Sequence, residues 1–152
     1  MAYSPRRRKV YLAARFSRQS EVRKIRDQLH ALGYEVLAAW LDEDLRTESK
    51  LDREAANRIA RGIYDEIMRA SVFVCFIDNH VGSIRGGHQV EFGFALAKGK
   101  VVISVGHVER NIFHQDWRVR QFGTTEDFLE AARSWTNFIP PQSSSELAPA
   151  SS

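Results

Sequence analysis

Two carboxylates, Asp78 and Glu91, stand on either side of a glycine-bearing loop in the stretch VFVCFIDNHVGSIRGGHQVEFGFALAKG, which runs from Val72 to Gly99. Asp78 follows an apolar run, Val72 to Ile77, that is too short for an ordinary helix and rich in β-branched and aromatic residues, as expected of a strand buried on both faces. Gly82, Gly86 and Gly87 then lead into a helical pattern in which Val90, Phe94 and Ala97 share one face while Glu91 and Ala95 share another. Asp78 is therefore expected at the carboxyl end of a strand, and Glu91 in the first turn of a helix beside a glycine loop. Open α/β sheets bind ligands at the carboxyl ends of parallel strands, and the free N–H groups of a helix start hold anions. Two carboxylates at one such rim suggest chemistry.

The elements that must position them alternate along the chain. Lys9 to Ala14 reads as a short strand, and Ser17 or Ser20 can cap a helix in which Val22, Ile25, Leu29 and Leu32 recur at helical spacing up to Gly33. Tyr34 to Leu41 reads as a second strand, and Asp42 to Leu51 as a polar connection. Asp52 to Ala70 forms a longer helix with Ala56, Ile59, Ile63 and Ile67 on one side. After the Glu91 helix, Gly99 is a C-cap and Val101 to Val105 a buried strand. Val119 to Phe122 is a short last strand, and Thr124 or Thr125 caps a helix to Trp135 with Phe128, Leu129 and Ala132 inward. Parallel crossovers are right-handed and nearly always helical, so this order predicts an α/β domain over residues 9–138: a doubly wound, mostly parallel five-stranded sheet with helices on both faces. A flavodoxin-like strand order, 2-1-3-4-5, is expected. Residues 139–152, PPQSSSELAPASS after Ile139, are too poor in apolar area to offset their ordering entropy and read as a disordered tail.

Composition limits the function. At 152 residues, 43% hydrophobic and 27% charged, the chain has the profile of one soluble domain, with no apolar run near the roughly 20 residues of a membrane span. No signal peptide is expected after Arg6 to Lys9, because only a few apolar residues precede Arg15. The single cysteine, Cys75, falls inside a buried strand, which rules out an intrachain disulfide and fits a reducing, cytoplasmic compartment. The four basic residues Arg6 to Lys9 outweigh the formal net charge of +3, so the basicity belongs to an N-terminal arm, residues 1–8 with Lys9, and the body is slightly acidic. That distribution argues against nucleic acid as the partner.

The familiar cofactor loops are missing. No G-x-G-x-x-G follows the first strand, where YLAARFS stands, and neither G-x-x-x-x-G-K-[ST] nor G-x-S-x-G occurs. His30, His80, His88, His107 and His114 include no pair at the i, i+4 spacing of a helical zinc site. No metal and no cofactor is implied.

YLAARFS ending the first strand, Asp65 late in the long helix, FIDN ending the central strand and GGHQVEFGFALAKGK together resemble the nucleoside 2-deoxyribosyltransferase-like family, over about Lys9 to Phe122. That family includes base-exchanging transferases and the related 2′-deoxynucleotide and nucleotide N-glycosidases. The resemblance implies that Glu91, in EFGFA, attacks C1′ of the sugar, that Asp65 is the family's helix aspartate and that Tyr11 is its first-strand tyrosine. The chemistry agrees: an N-glycosidic bond breaks through an oxocarbenium-like state that a carboxylate near C1′ stabilises or traps covalently, while a second acid protonates the departing base. Either Asp78 or Asp65 would serve as that acid or as a sugar-hydroxyl ligand.

The chain departs from the family in one place. Nucleoside transferases carry an aspartate six residues before the nucleophile, where this chain has Arg85 in SIRGG, Ser83 to Gly87. An arginine cannot accept a proton as a carboxylate does, but its planar fork suits a phosphate. Arg15, Ser17 and Arg18 at the first strand's end would add donors, and Ser83, Gly86 and Gly87 belong to a loop of the kind that holds a 5′-phosphate in the family's nucleotide hydrolases. A nucleoside 5′-monophosphate is thus the expected substrate. Trp40 could stack on the base and Asp42 bind its edge. Asn111, in RNIFH, resembles a loop that family members insert into a neighbouring subunit's site, which implies a homodimer or higher homo-oligomer. The competing readings are a transferase of unphosphorylated nucleosides, an NAD-cleaving domain of the Toll/interleukin-receptor kind and a non-catalytic nucleotide-binding module.

Overall fold

The computed structural model describes residues 8–43, 52–78, 87–106 and 112–138. Five strands, β1 (Arg8–Ala13), β2 (Tyr34–Leu37), β3 (Val72–Phe76), β4 (Val101–Val105) and β5 (Val119–Phe122), form one sheet. Their order is β2-β1-β3-β4-β5 with every neighbouring pair parallel, as the alternating pattern predicts. β1 and β3 lie inside the sheet with Tyr11 opposite Phe73 and Leu12 opposite Val74, which is why both strands are apolar on both faces.

The helices are α1 (Gln19–Ala31), α2 (Arg53–Arg69), α3 (Gly87–Ala97), α4 (Thr125–Ala132) and α5 (Trp135–Phe138). α1 contacts α4, and α2 contacts α3. The step from β1 to β2 runs opposite to the step from β2 to β3, so right-handed crossovers put α1 and α2 on opposite faces of the sheet. No helix among the described residues is long and apolar enough to cross a membrane.

Several local expectations change. Neither Ser17 nor Ser20 caps α1: a 3-10 turn at Phe16–Arg18, closed by Arg18 N–H donating to the Arg15 carbonyl at 2.9 Å, shifts the helix start to Gln19 and leaves Ser17 exposed. β2 ends at Leu37, four residues early, because its register on β1 ends with Tyr11 opposite Leu37. The chain then turns through a 3-10 segment, Ala39–Asp42, and the Trp40 indole N–H donates to the Leu12 carbonyl at 2.8 Å. Along α2 only Glu66 and Ile67 are buried, and on α3 the buried positions are Phe92 and Ala95, while Val90 is exposed. Arg8, placed with the basic arm from sequence, belongs to the body: it opens β1 and its guanidinium lies 4.6 Å from the Trp135 ring centre. Thr124, not Thr125, caps α4 by accepting from Asp127 N–H at 3.1 Å. The expected helix to Trp135 breaks after Ala132 into α4 and α5. The tail at 139–152 lies outside the described residues.

Two features shape the carboxyl rim. Gly106 has φ 121°, and a Cβ there would lie 2.8 Å from the Ile77 carbonyl oxygen, so only glycine lets the ends of β3 and β4 close together beside Asp78. Beneath the rim, the Tyr11 ring stacks on Phe73 at 5.7 Å and Phe73 meets Phe92 edge-on at 6.5 Å. Burying each such ring contributes about 1.5–3 kcal/mol, enough to hold the floor of the site rigid.

Candidate active site

Tyr11 rises from β1 with no exposed surface, and its hydroxyl makes no well-formed hydrogen bond among the described residues. A buried phenol without a partner costs about 1–3 kcal/mol, so its position calls for an explanation. Glu91 supplies one. Its carboxylate is near enough for the Tyr11 hydroxyl to lower its pKa, and its charge in turn raises that of Tyr11. Burial is the largest cause of the rise at Tyr11, which stays protonated well above the usual phenol range.

Glu91 is half-buried, and burial pushes its pKa up to about 7, with the negative charge of Glu66 adding to the rise. Sequence placed Glu91 in the first turn of its helix. α3 starts at Gly87, so Glu91 falls just past that turn, where the helix dipole fades. The magnitudes agree: a carboxyl held protonated up to about pH 7 corresponds to roughly 3 kcal/mol against the charge, several times the ~0.3–1 kcal/mol that the dipole supplies at a helix end.

Glu66, on α2, is the third member of this buried group. It is 9% exposed, accepts the Ala39 N–H on both oxygens at 3.3 and 3.1 Å, and has its pKa raised chiefly by burial and lowered by that bond. Glu66 also lines a cleft of about 270 Å³ between the Ala39–Asp42 turn and α2, with Trp40, Arg58, Ile59 and Ile63 on its walls. Sequence reasoning chose its neighbour. Asp65 points outward, 66% exposed in its side chain, and pairs with Arg69 at 2.9 Å along the helix surface. The phase of the Ile59, Ile63, Ile67 stripe was the missed signal, since Glu66 flanks that stripe and Asp65 faces away from it.

Asp78 sits at the end of β3 as expected, with both oxygens taken by guanidinium groups: Arg15 Nε at 2.8 Å and Arg18 Nη1 at 3.0 Å. Arg18 also donates to Glu21 at 2.8 and 3.0 Å. The structure thus brings Arg15, Arg18 and Asp78 together at one point of the rim. It does not bring Asp42 there, because that carboxylate is exposed and pairs with Arg26 of α1 at 2.9 Å. Trp40 is buried against Phe16 and tied to β1, a wall of the cleft more than a free stacking surface. Gly87 is the exposed first residue of α3. Ser83, Arg85, Gly86 and Asn111 lie outside the described residues. Among the described residues no three His, Cys, Asp or Glu side chains gather as a metal site.

Fold and candidate site together define the class: an α/β protein with a flavodoxin-like sheet whose candidate site gathers the buried Glu66 and the half-buried Glu91 about a buried tyrosine. The sequence profile of the family described as nucleoside 2-deoxyribosyltransferase matches residues 10–129. The chain belongs to that family and is an enzyme of the deoxyribosyltransferase-like kind. Among solved structures it is similar to the 2-deoxyribosyltransferase of the psychrotolerant bacterium Bacillus psychrosaccharolyticus, with a TM-score of 0.68 and 19% identity over 86% of this chain and 95% of that one. It is also similar to the Clostridium botulinum CMP N-glycosidase BcmB, with a TM-score of 0.56 and 20% identity over 81% of this chain and 96% of that one. A conserved protein from Enterococcus faecalis V583 aligns with a TM-score of 0.55 and 16% identity over 84% and 98% of the two chains. At such identities these likenesses speak to the fold. No curated protein matches the sequence.

Proposed function

We propose that this enzyme cleaves the N-glycosidic bond of a nucleoside or 2′-deoxynucleoside 5′-monophosphate, with Glu91 as nucleophile. The observation that carries the reading is the burial of Glu91, Tyr11 and Glu66 in one group at the sheet's carboxyl rim. An ionised Glu91 oxygen attacks C1′ as the C1′–N bond breaks, and the bonding pair leaves on the base nitrogen. Glu66, whose pKa is raised chiefly by burial, takes the role of proton donor, for which the sequence offered Asp65 or Asp78 as donor or sugar-hydroxyl ligand. Tyr11 holds Glu91 by donating its hydroxyl hydrogen, which disperses charge before attack and after release. Water then attacks C1′, gives its proton to Glu66 and frees Glu91; a second base in place of water yields transfer.

Arg85 and Arg15 support the phosphate, with Asp78 fixing Arg15 and Arg18 in place. One observation favours an unphosphorylated nucleoside as a second reading: Arg18 is already neutralised by Glu21 and Asp78. A homo-oligomer fits the exposed Ile112, Phe113 and Trp117 that follow Asn111. A cytoplasmic location fits the single, buried cysteine.

A panel of ribo- and 2′-deoxynucleosides and their 5′-monophosphates, assayed without added metal for free base, tests the reaction. Release from at least one monophosphate is expected. Silence across the panel from folded protein sinks the glycosidic reading. Adding a second base separates hydrolysis from transfer.

A further inference from the structure

His114 lies on a short 3-10 segment, Ile112–Gln115, in the connection between β4 and β5, and its side chain is wholly buried. Its Nε2 is 2.8 Å from the Gln89 side-chain oxygen, and the Gln89 amide nitrogen is 3.2 Å from His88 Nε2. An amide that donates to His88 leaves its oxygen as acceptor, so His114 carries its hydrogen on Nε2. The imidazole also lies flat on the Phe92 ring, with centres 3.9 Å apart and planes 1° from parallel. Its own backbone is held from β5, where the Gln121 side-chain nitrogen donates to the His114 carbonyl at 3.0 Å.

Gln89 and Phe92 are three residues apart on α3, neighbours on one side of the helix, and Glu91 stands between them in sequence. From the mechanism proposed above, we infer that His114 is a positioning residue for the nucleophile: by gripping Gln89 and Phe92 it fixes the rotation of the first turns of α3 and thereby the approach of Glu91 to C1′. The grip extends to the tyrosine, since Phe92 meets Phe73 and Phe73 stacks on Tyr11. One histidine from the connection between β4 and β5 thus braces both members of the Glu91 and Tyr11 pair. A bracing group of this kind acts on rate more than on affinity, because a reacting oxygen displaced by a fraction of an ångström still lets substrate bind.

His114→Phe keeps the ring on Phe92 and removes the hydrogen bond to Gln89. It is expected to lower kcat roughly three- to tenfold with KM changed less than about twofold. His114→Gln, whose amide nitrogen reaches about as far as Nε2, is expected to recover part of that loss. Gln89→Met removes the acceptor from the other end at a half-buried surface position where folding is not at stake. It should reproduce the loss, and the double variant should be no worse than the poorer single one. The ¹³C titration of the Glu91 carboxyl supplies a readout independent of turnover: loosening the turn exposes the group, so its pKa should fall from about 7 toward the ordinary glutamate value in both single variants. Additive losses, or variants with unchanged kcat and an unchanged Glu91 titration, overturn the inference. A shifted titration in a protein that cleaves no nucleoside or nucleotide overturns the proposed reaction and leaves the bracing of Glu91 standing.

Discussion

The hydroxyl of Tyr11, fully buried on β1, faces the carboxylate of Glu91 on α3, and the two oppose each other's titration: the phenol lowers the pKa of the acid while the charged acid raises that of the phenol. Burial exceeds either effect and raises both. The pair is therefore a local cost to the fold, of the kind kept where a group must be reactive.

That cost has a pH signature. Glu91 titrates at about 7 in the folded protein against 4.5 for an ordinary glutamate, so between those values the folded state binds the proton and the unfolded state does not. Stability from this group is full below about pH 4.5 and is lost as pH rises to 7. Glu91→Gln removes the loss: the variant should exceed wild type by roughly 1–3 kcal/mol at pH 8, with the gap nearly closed at pH 5. Urea unfolding at the two pH values measures it, and parallel profiles would contradict the burial of Glu91. Turnover in the same variant should fall by about a thousandfold or more while substrate still binds.

Tyr11→Phe removes a buried hydroxyl whose contact with Glu91 falls short of a well-formed hydrogen bond in the free protein, and should raise stability by up to about 1 kcal/mol. The wild-type kcat/KM should rise with pH through about 7 as Glu91 ionises. Without the phenol that inflection moves higher, since the Tyr11 hydroxyl lowers the pKa of Glu91. An inflection that stays in place would mean the hydroxyl serves the substrate and not the acid.

Adjacent acids on α2 should behave oppositely. Glu66→Gln keeps an acceptor for the Ala39 N–H but cannot deliver a proton, so kcat should drop about 10²- to 10⁴-fold. Asp65→Asn breaks only an exposed pair with Arg69 and should change stability by less than about 0.5 kcal/mol and activity by less than about twofold. The reverse ranking in steady-state kinetics would return the donor role to Asp65.

Phosphate recognition is testable by paired substrates. Arg85→Ala should reduce kcat/KM for the monophosphate roughly ten- to a hundredfold, as one or two charge-assisted hydrogen bonds are lost, and leave the matching nucleoside nearly unchanged. Asp78→Asn, which loosens Arg15 and Arg18, should raise KM for the monophosphate and spare kcat on the nucleoside. Equal losses on both substrates would transfer these residues from the phosphate to the sugar or the loop.

The strand order was legible before any coordinates, because apolar runs of strand length separated by amphipathic helices leave a right-handed parallel sheet few alternatives. The placement of Tyr11 on the first strand and of Glu91 near the start of the helix after β3 was legible as well, carried by strand and helix patterns. What sequence could not decide was direction. Asp65 and Glu66 are one residue apart, and the 100° between them on a helix puts one in water and the other in the interior. From the sequence Asp78 stood with Asp65 as proton donor or sugar-hydroxyl ligand; in the fold two arginines of the β1–α1 connection pair with both its oxygens. His114 carried no signal at all, since its partners Gln89 and Phe92 belong to another element and meet it only after β4 and β5 have been laid beside β3. Periodicity determines which elements form, because it follows from local backbone geometry. Which side chains share a buried space depends on the packing of elements distant in sequence, and that packing determined which carboxylates surround Tyr11.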